Sequence, residues 1–382
     1  MEHDLGLLDR LLAAPEGESA GLARFLLGEN AHLGRALRAR AERWNKKRWY
    51  ASDGFVADDP ASAVSLAAHQ LSARSFSPTA LQNFSACPYR FYLQALVRLS
   101  PREEPEPAYE LDPLQRGSLV HQIQFELLLE LREKGMLPLH AGSAAEAERL
   151  LEATVQRVAA SKEDELAPAI PRVWADQIAE LRADVREWFR RLVQEPTFKP
   201  AFFELAFGLP DHGEERDPRS QDAPVVLDNG IQLRGSIDLV EKSSDHVYRA
   251  TDYKTGKVRA KRGDVIKGGA ILQPVLYALV LEKLLAEDGR PANVHGGQLS
   301  YCTYAGGFED VLVELNDDAR KAADQLAVAL KGALETGFLP ALPREGECKY
   351  CDYRSVCGPY EEVRTGQKPG NKPEKRVGKP LA

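Results

Sequence analysis

Leu5, Leu8, Leu11 and Leu12 recur at helical spacing in a stretch that reads as helix from the start of the chain to about residue 48. A further helix is expected over 61–72. Pro78 after Ser77 is a helix-start signature, a proline in the first turn behind a capping hydroxyl, and that helix leads into Cys87. Helical periodicity returns from Gly117 to about Glu133. It continues across 144–195, where two helices would turn Trp174 and Trp188 inward. The period then changes to two. Strands are expected over 201–207, over 231–241 behind the turn Asp228-Asn-Gly230, and over 246–254. A polar loop through Asp222 and the turn formers Ser243-Ser244-Asp245 separate them. A helix over 269–287, a strand over 297–304 and a helix over 317–336 follow. The order helix, three strands, helix, strand describes an α/β chain with an αβββαβ core.

Composition narrows the class without naming a function. With 382 residues, 43% hydrophobic and 28% charged, the chain can bury one large core or two smaller ones, as an ordinary globular protein does. No apolar run approaches the roughly 18 residues of a membrane span, and the opening Met1-Glu-His-Asp is no signal peptide. Five cysteines, an odd number with no secretory signal, point to a reducing cytoplasm rather than a disulfide framework. The formal charge of −7 gives no global support for nucleic-acid binding. Basic residues nonetheless cluster at Lys254, Lys257, Arg259, Lys261, Arg262 and Lys267, and six lie between Arg364 and Lys379 against one acid. Solvated charge on a loop is the plain alternative for the first group, and a disordered tail is the expected reading of the second.

The chemistry concentrates in Gly235-Ser-Ile-Asp-Leu-Val240 and Thr251-Asp-Tyr-Lys-Thr255. Asp252 and Lys254 share one face of a period-two strand. A hairpin through 243–245 would set Asp238 roughly opposite residues 250–252. Two carboxylates and an ammonium would then converge, the set needed for metal-dependent phosphodiester hydrolysis. A carboxylate between Ile237 and Leu239 is costly without a cation beside it. Taken alone, Asp-x-Lys more often marks a solvated hairpin edge. His121 lies in a helix five residues after Arg116, and Gln273 and Tyr277 share one helix face. Glu204 sits in the first core strand and is left without an assigned role. Cys348, Cys351 and Cys357 form C-x₂-C-x₅-C, three thiols that require a fourth ligand to close a zinc site or an iron–sulfur cluster. Cys302 reads as a buried free thiol. There is no phosphate loop of the Walker type, so the chain by itself is not expected to hydrolyse ATP.

Five ordered segments together resemble the PD-(D/E)xK nucleases, specifically the RecB-like nuclease domain at the C-terminal end of AddB-type helicase–nuclease subunits. They are Ser77–Phe91, Arg116-Gly-Ser-Leu-Val-His121, the two aspartate strands, Gln273-Pro-Val-Leu-Tyr277 and Cys348–Cys357, running from about Phe76 to Tyr360. The resemblance implies a restriction-endonuclease-like αβββαβ fold. It implies Asp238, Asp252 and His121 as ligands of Mg²⁺ or Mn²⁺, with Lys254 as the catalytic lysine and Gln273 and Tyr277 beside the substrate. It also implies Cys87 as the fourth ligand of a 4Fe–4S cluster with Cys348, Cys351 and Cys357, a staple between the two ends of the domain. Zinc is the alternative at these cysteines, because spacing alone does not choose the metal.

The expectation is therefore a metal-dependent deoxyribonuclease, an exonuclease in preference to an endonuclease. Its substrate would be single-stranded DNA or DNA ends supplied by a helicase subunit during double-strand-break repair. The expected organisation is a helical segment over 1–75, the nuclease domain over 76–360 and a basic tail over 361–382. Two alternatives stay open: a non-catalytic DNA-binding scaffold of a helicase–nuclease complex, and a free-standing exonuclease of the CRISPR-adaptation type.

Overall fold

In the computed structural model, residues 19–100, 109–140, 142–210, 216–261, 263–287, 289, 293–358 and 360–369 are described. The leucines at positions 5 to 12, Arg262 and the tail beyond 369 lie outside them. The helices used below are α1 (Ser19–Glu29), α2 (Ala31–Trp44), α3 (Pro60–Leu66), α4 (Pro78–Ala86), α5 (Pro113–Glu133), α6 (Ala144–Leu166) and α7 (Pro171–Gln194). The chain then enters the sheet through β1 (Lys199–Phe207), β2 (Gly235–Lys242) and β3 (Tyr248–Lys254). Helix α8 (Gln273–Glu287), strands β4 (Val294–Tyr301) and β5 (Asp310–Glu314), and helices α9 (Asp317–Thr336) and α10 (Glu361–Thr365) complete it.

The five strands stand in chain order. β1, β2 and β3 form an antiparallel meander, β3 and β4 run parallel through the α8 crossover, and β5 returns antiparallel. This is the expected mixed sheet with one strand added. β5 is short but alternates exposed Asp310 with buried Val311 and Val313, so it packs only one face. Helices cover both sides. Leu119, Ile123 and Leu127 of α5 pack with Leu151 of α6, Trp188 of α7, and Phe203, Leu239 and Tyr253 of the sheet. The other face carries Leu276 and Val280 of α8, Leu326 and Leu330 of α9, and Leu81 and Phe84 of α4.

Several boundaries differ from the expected ones for local reasons. The expected strand 231–241 breaks at Arg234, whose N–H turns to donate to Phe76, while Gln232–Leu233 pair with Val225–Val226. β4 ends at Tyr301, because Cys302 and Thr303 bend to donate to the carbonyls of Lys254 and Thr255. The single helix expected up to residue 48 is divided at Asn30, whose side chain caps α2 by accepting from Leu33 N.

The expected boundaries at 75 and 360 are not breaks in packing. Val56, Leu66 and Leu71 belong to the same core as Ile237 and Leu276. Gly54 meets Leu339 so closely that an added Cβ would lie 2.1 Å from its carbonyl oxygen. Residues 361–369, expected as the start of a disordered tail, are docked instead. Arg364 and Lys368 are buried there because carboxylates from elsewhere in the chain and in α10 meet them.

Candidate active site in a cleft at the end of the central strands

The N-terminus of α5 is held by a capping box. Asp112 accepts from Leu114 N and Gln115 N at 2.7 and 2.8 Å, and Gln115 answers by accepting from Asp112 N. Arg116 then pairs with Asp184 of α7 at 2.7 Å. Gly117 lets the helix lie against Thr255, where an added Cβ would meet the hydroxyl at 3.4 Å. With α5 fixed, its buried stripe faces the sheet and half-buried His121 reaches the strand ends.

The strands themselves are irregular at this point. Residues two apart on a regular strand share a face. Yet Phe203 and Leu205 belong to opposite cores, and so do Ile237 and Leu239. The alternation breaks at Glu204 and Asp238, which face each other between the pairs Phe203–Leu239 and Leu205–Ile237. Glu204 has φ of +47°, a conformation that strains a residue with a side chain. The break releases both carboxylates from the cores.

As a result, His121, Glu204 and Asp238 bring ligand atoms within 4.8 Å of one another, the one such group of three among the described residues. Asp238 Oδ2 lies 3.5 Å from His121 Nδ1 and accepts from Tyr253 N at 2.7 Å. Ser236 donates to Glu204 at 2.7 Å. Leu239 opposite Thr251 gives the expected register, so Asp238 stands beside Asp252. Asp252 is buried, and Lys254 Nζ lies 2.5 Å from its Oδ2, although the angle is not that of a hydrogen bond and this oxygen accepts none.

Burial, with the charges of Asp252 and Glu204, holds the Asp238 carboxyl well above its ordinary range. Burial and Asp252 also raise Glu204, against the hydrogen bond from Ser236. Burial lowers His121, so its contact with Asp238 is that of a neutral imidazole and not an ion pair. Three carboxylates, one ammonium and a neutral histidine leave two uncompensated negative charges. A divalent cation is the complement of that set.

The expected residues are not all placed alike. Asp238 and His121 meet as anticipated. Glu204 joins them in the close group, while Asp252 lies beside it against Lys254, which competes for its oxygen. The available signal for Glu204 was an acid centred in the apolar strand Ala-Phe-Phe-Glu-Leu-Ala-Phe, although only the register puts it opposite Asp238. Tyr277 is buried edge-on to Phe207, and its hydroxyl is raised by burial and by the carboxylates above it. It lies beneath the acids with Gln273 beside it, and neither lines the cleft. The cleft has a volume of about 1030 Å³ and is lined by His121, Glu204, Ser236, Lys254, Thr255 and Arg216 among others.

At the opposite end of the core, Cys87, Cys348, Cys351 and Cys357 line one cavity with Tyr89, Arg90 and Glu361. Burial pushes the Cys87 and Cys348 thiols up to about 12 and Cys357 to about 11. Cys302 is elsewhere, buried beneath the sheet, and its sulfur faces Lys254 O.

The model of the PD-(D/E)XK nuclease superfamily matches residues 75–358, and so spans both the acidic cleft and the cysteine cavity. The chain belongs to this superfamily. PD-(D/E)XK relatives include an ATP-dependent helicase/deoxyribonuclease subunit of Thermoanaerobacter sp. (strain X514), 23% identical over 231 residues, 58% of this chain and 19% of that protein. The helicase/deoxyribonuclease subunit of Lacticaseibacillus casei (strain BL23) is 25% identical over 248 residues, 64% of this chain and 20% of that protein. That of Carboxydothermus hydrogenoformans is 26% identical over 231 residues, 58% of this chain and 20% of its own. The chain thus matches about a fifth of the length of each of these PD-(D/E)XK relatives. No described helix is long and apolar enough to cross a membrane.

Proposed function

We propose that this chain is a Mg²⁺- or Mn²⁺-dependent deoxyribonuclease that hydrolyses single-stranded DNA or DNA ends as an exonuclease, working with a helicase subunit in the cytoplasm during double-strand-break repair. The observation that carries the reading is the convergence of His121, Glu204 and Asp238 beside the Asp252–Lys254 pair in an open cleft. Held by these donors, the divalent ion supplies a polarised phosphate and an activated water. An imidazole in the set favours Mn²⁺ alongside Mg²⁺. Asp238 and Glu204 hold the cation once deprotonated, and Asp252 completes the set when Lys254 yields its oxygen. Lys254, at the mouth of the cleft, then turns its ammonium toward the attacking water and the scissile phosphate. Tyr277 and Gln273 support the carboxylates from below.

The four cysteines are read as a 4Fe–4S staple. The thiols line a common cavity, yet no three of their sulfurs gather within 4.8 Å among the described residues. A zinc tetrahedron with Zn–S bonds of about 2.3 Å has edges of about 3.8 Å. A cubane, with a separate iron under each thiolate, spreads its ligands farther.

The test is cleavage of 5′- and 3′-labelled single- and double-stranded DNA by anaerobically purified protein with Mg²⁺, Mn²⁺ or EDTA, beside Asp252→Ala. Divalent-dependent cleavage lost in the variant is expected, with the label pattern giving polarity. DNA binding without cleavage in either metal, from folded and cluster-loaded protein supplied with its helicase partner, would sink it.

A further inference from the structure

Five buried charged side chains form a network that the nuclease chemistry does not use. Arg364 spans Glu361 and Asp53, with Nε and Nη2 on Glu361 at 2.8 and 2.5 Å and Nη1 on Asp53 at 2.6 Å. Lys368 Nζ meets the other oxygen of Asp53 at 2.6 Å and also donates to the carbonyls of Glu42 and Arg48. Arg43 binds Glu361 and donates to Ser52 O at 2.5 Å. All five residues are buried, and the network ties 43–53 to a segment more than 300 positions later.

Its charges do not cancel. Arg43, Arg364 and Lys368 face only Asp53 and Glu361, leaving one positive charge in a place where an unpaired charge is expensive. The surplus lies next to the cysteine cavity. Glu361 lines that cavity with all four cysteines, and so does Tyr89, under the Arg43 guanidinium at 5.8 Å. Arg43 also reaches Cys357 with a side-chain hydrogen bond. Protonated thiols would leave the surplus uncompensated. Four metal-bound thiolates would not, since such a centre carries net negative charge with either a cubane or zinc.

We propose that the surplus positive charge of this network is the counter-charge of the metal–thiolate centre, with Arg43 as its positioning residue, so that filling the centre and docking residues 361–369 onto 43–53 are one coupled event. The inference rests on the metal–thiolate centre of the proposed function, and it holds for iron–sulfur or zinc. The centre would staple Cys87 to Cys348–Cys357, and its charge would draw in the segment that follows.

The experiment compares the full chain with Arg43→Gln, Arg43→Lys and Glu361→Gln. Iron, sulfide and zinc per chain are measured, with hydrogen exchange at 361–369, 43–53 and the central strands before and after chelation. Stripping the centre is expected to speed exchange about tenfold at 361–369 and 43–53 while the central strands stay protected. Arg43→Gln is expected to release the centre to chelator about tenfold faster, with Arg43→Lys restoring most of the loss. Glu361→Gln removes a negative charge beside the sulfurs and is expected to keep the centre better than Arg43→Gln. A purely structural network would make those two variants equally damaging, which would overturn the proposal. Unchanged exchange at 361–369 on stripping would also overturn it. Wild-type protein that binds neither iron nor zinc would instead remove the centre itself, a distinguishable failure.

Discussion

Asp238 carries two opposed demands. Its carboxylate is buried beside Glu204 and Asp252, and one backbone N–H and one lysine answer only part of that charge. Asp238→Asn is therefore expected to stabilise the metal-free fold by about 1 kcal/mol while abolishing the thermal stabilisation conferred by Mn²⁺. Thermal unfolding with and without the metal checks both halves; a variant that still gained stability from Mn²⁺ would remove Asp238 from the ligand set. Lys254 makes the complementary case. Lys254→Met is expected to lower kcat by about 10²- to 10⁴-fold while calorimetric Mn²⁺ binding persists, since Asp252 loses only its competitor. Asp238, Asp252 and Lys254 are legible in the sequence because their spacing follows a strand period. Glu204 is not, because a lone acid in an apolar strand acquires a role only from what lies across from it.

At the scale of elements, close approaches decide which groups can meet. β4 crosses the start of α8 at Gly297, where an added Cβ would lie 2.0 Å from Pro274 O and 2.4 Å from its carbonyl carbon. Gly297→Ala must push backbone against backbone and is expected to cost about 3 kcal/mol in denaturant unfolding. A loss below about 0.5 kcal/mol would mean that α8 is free to shift. Helix positions are well anticipated by periodicity, with α6 and α7 at 144–166 and 171–194 and both tryptophans buried. Strand ends are less so. β4 stops at Tyr301 because hydrogen bonds to Lys254 and Thr255 redirect the chain, and those partners lie almost fifty residues away. β5 escapes notice because five residues with one buried face give too little pattern to separate from a loop.

For the molecule as a whole, protonation, metal and stability are linked through the acidic cleft. Asp238 and Glu204 have raised folded-state values, so the stability they contribute is fully present below the unfolded values of about 4. It is lost as pH rises through the folded values. The metal-free protein should thus lose stability over that interval, and the gain from Mn²⁺ should grow with pH as bound protons are displaced. Melting temperatures with Mn²⁺ and with EDTA at about pH 5.5 and about pH 8 test this; a metal shift that shrank at the higher pH would contradict it. The sequence by itself determined the α/β order, the aspartates and lysine, the histidine helix and the C-x₂-C-x₅-C run, because strand and helix periods and ligand spacing are local properties. The tertiary structure alone decided that Glu204 completes the donor group and that Tyr277 lies beneath the acids. It also decided that Arg364 and Lys368 belong to a buried network and not to a solvated tail. Each of these depends on which distant charge or backbone is brought alongside, and burial makes that pairing obligatory.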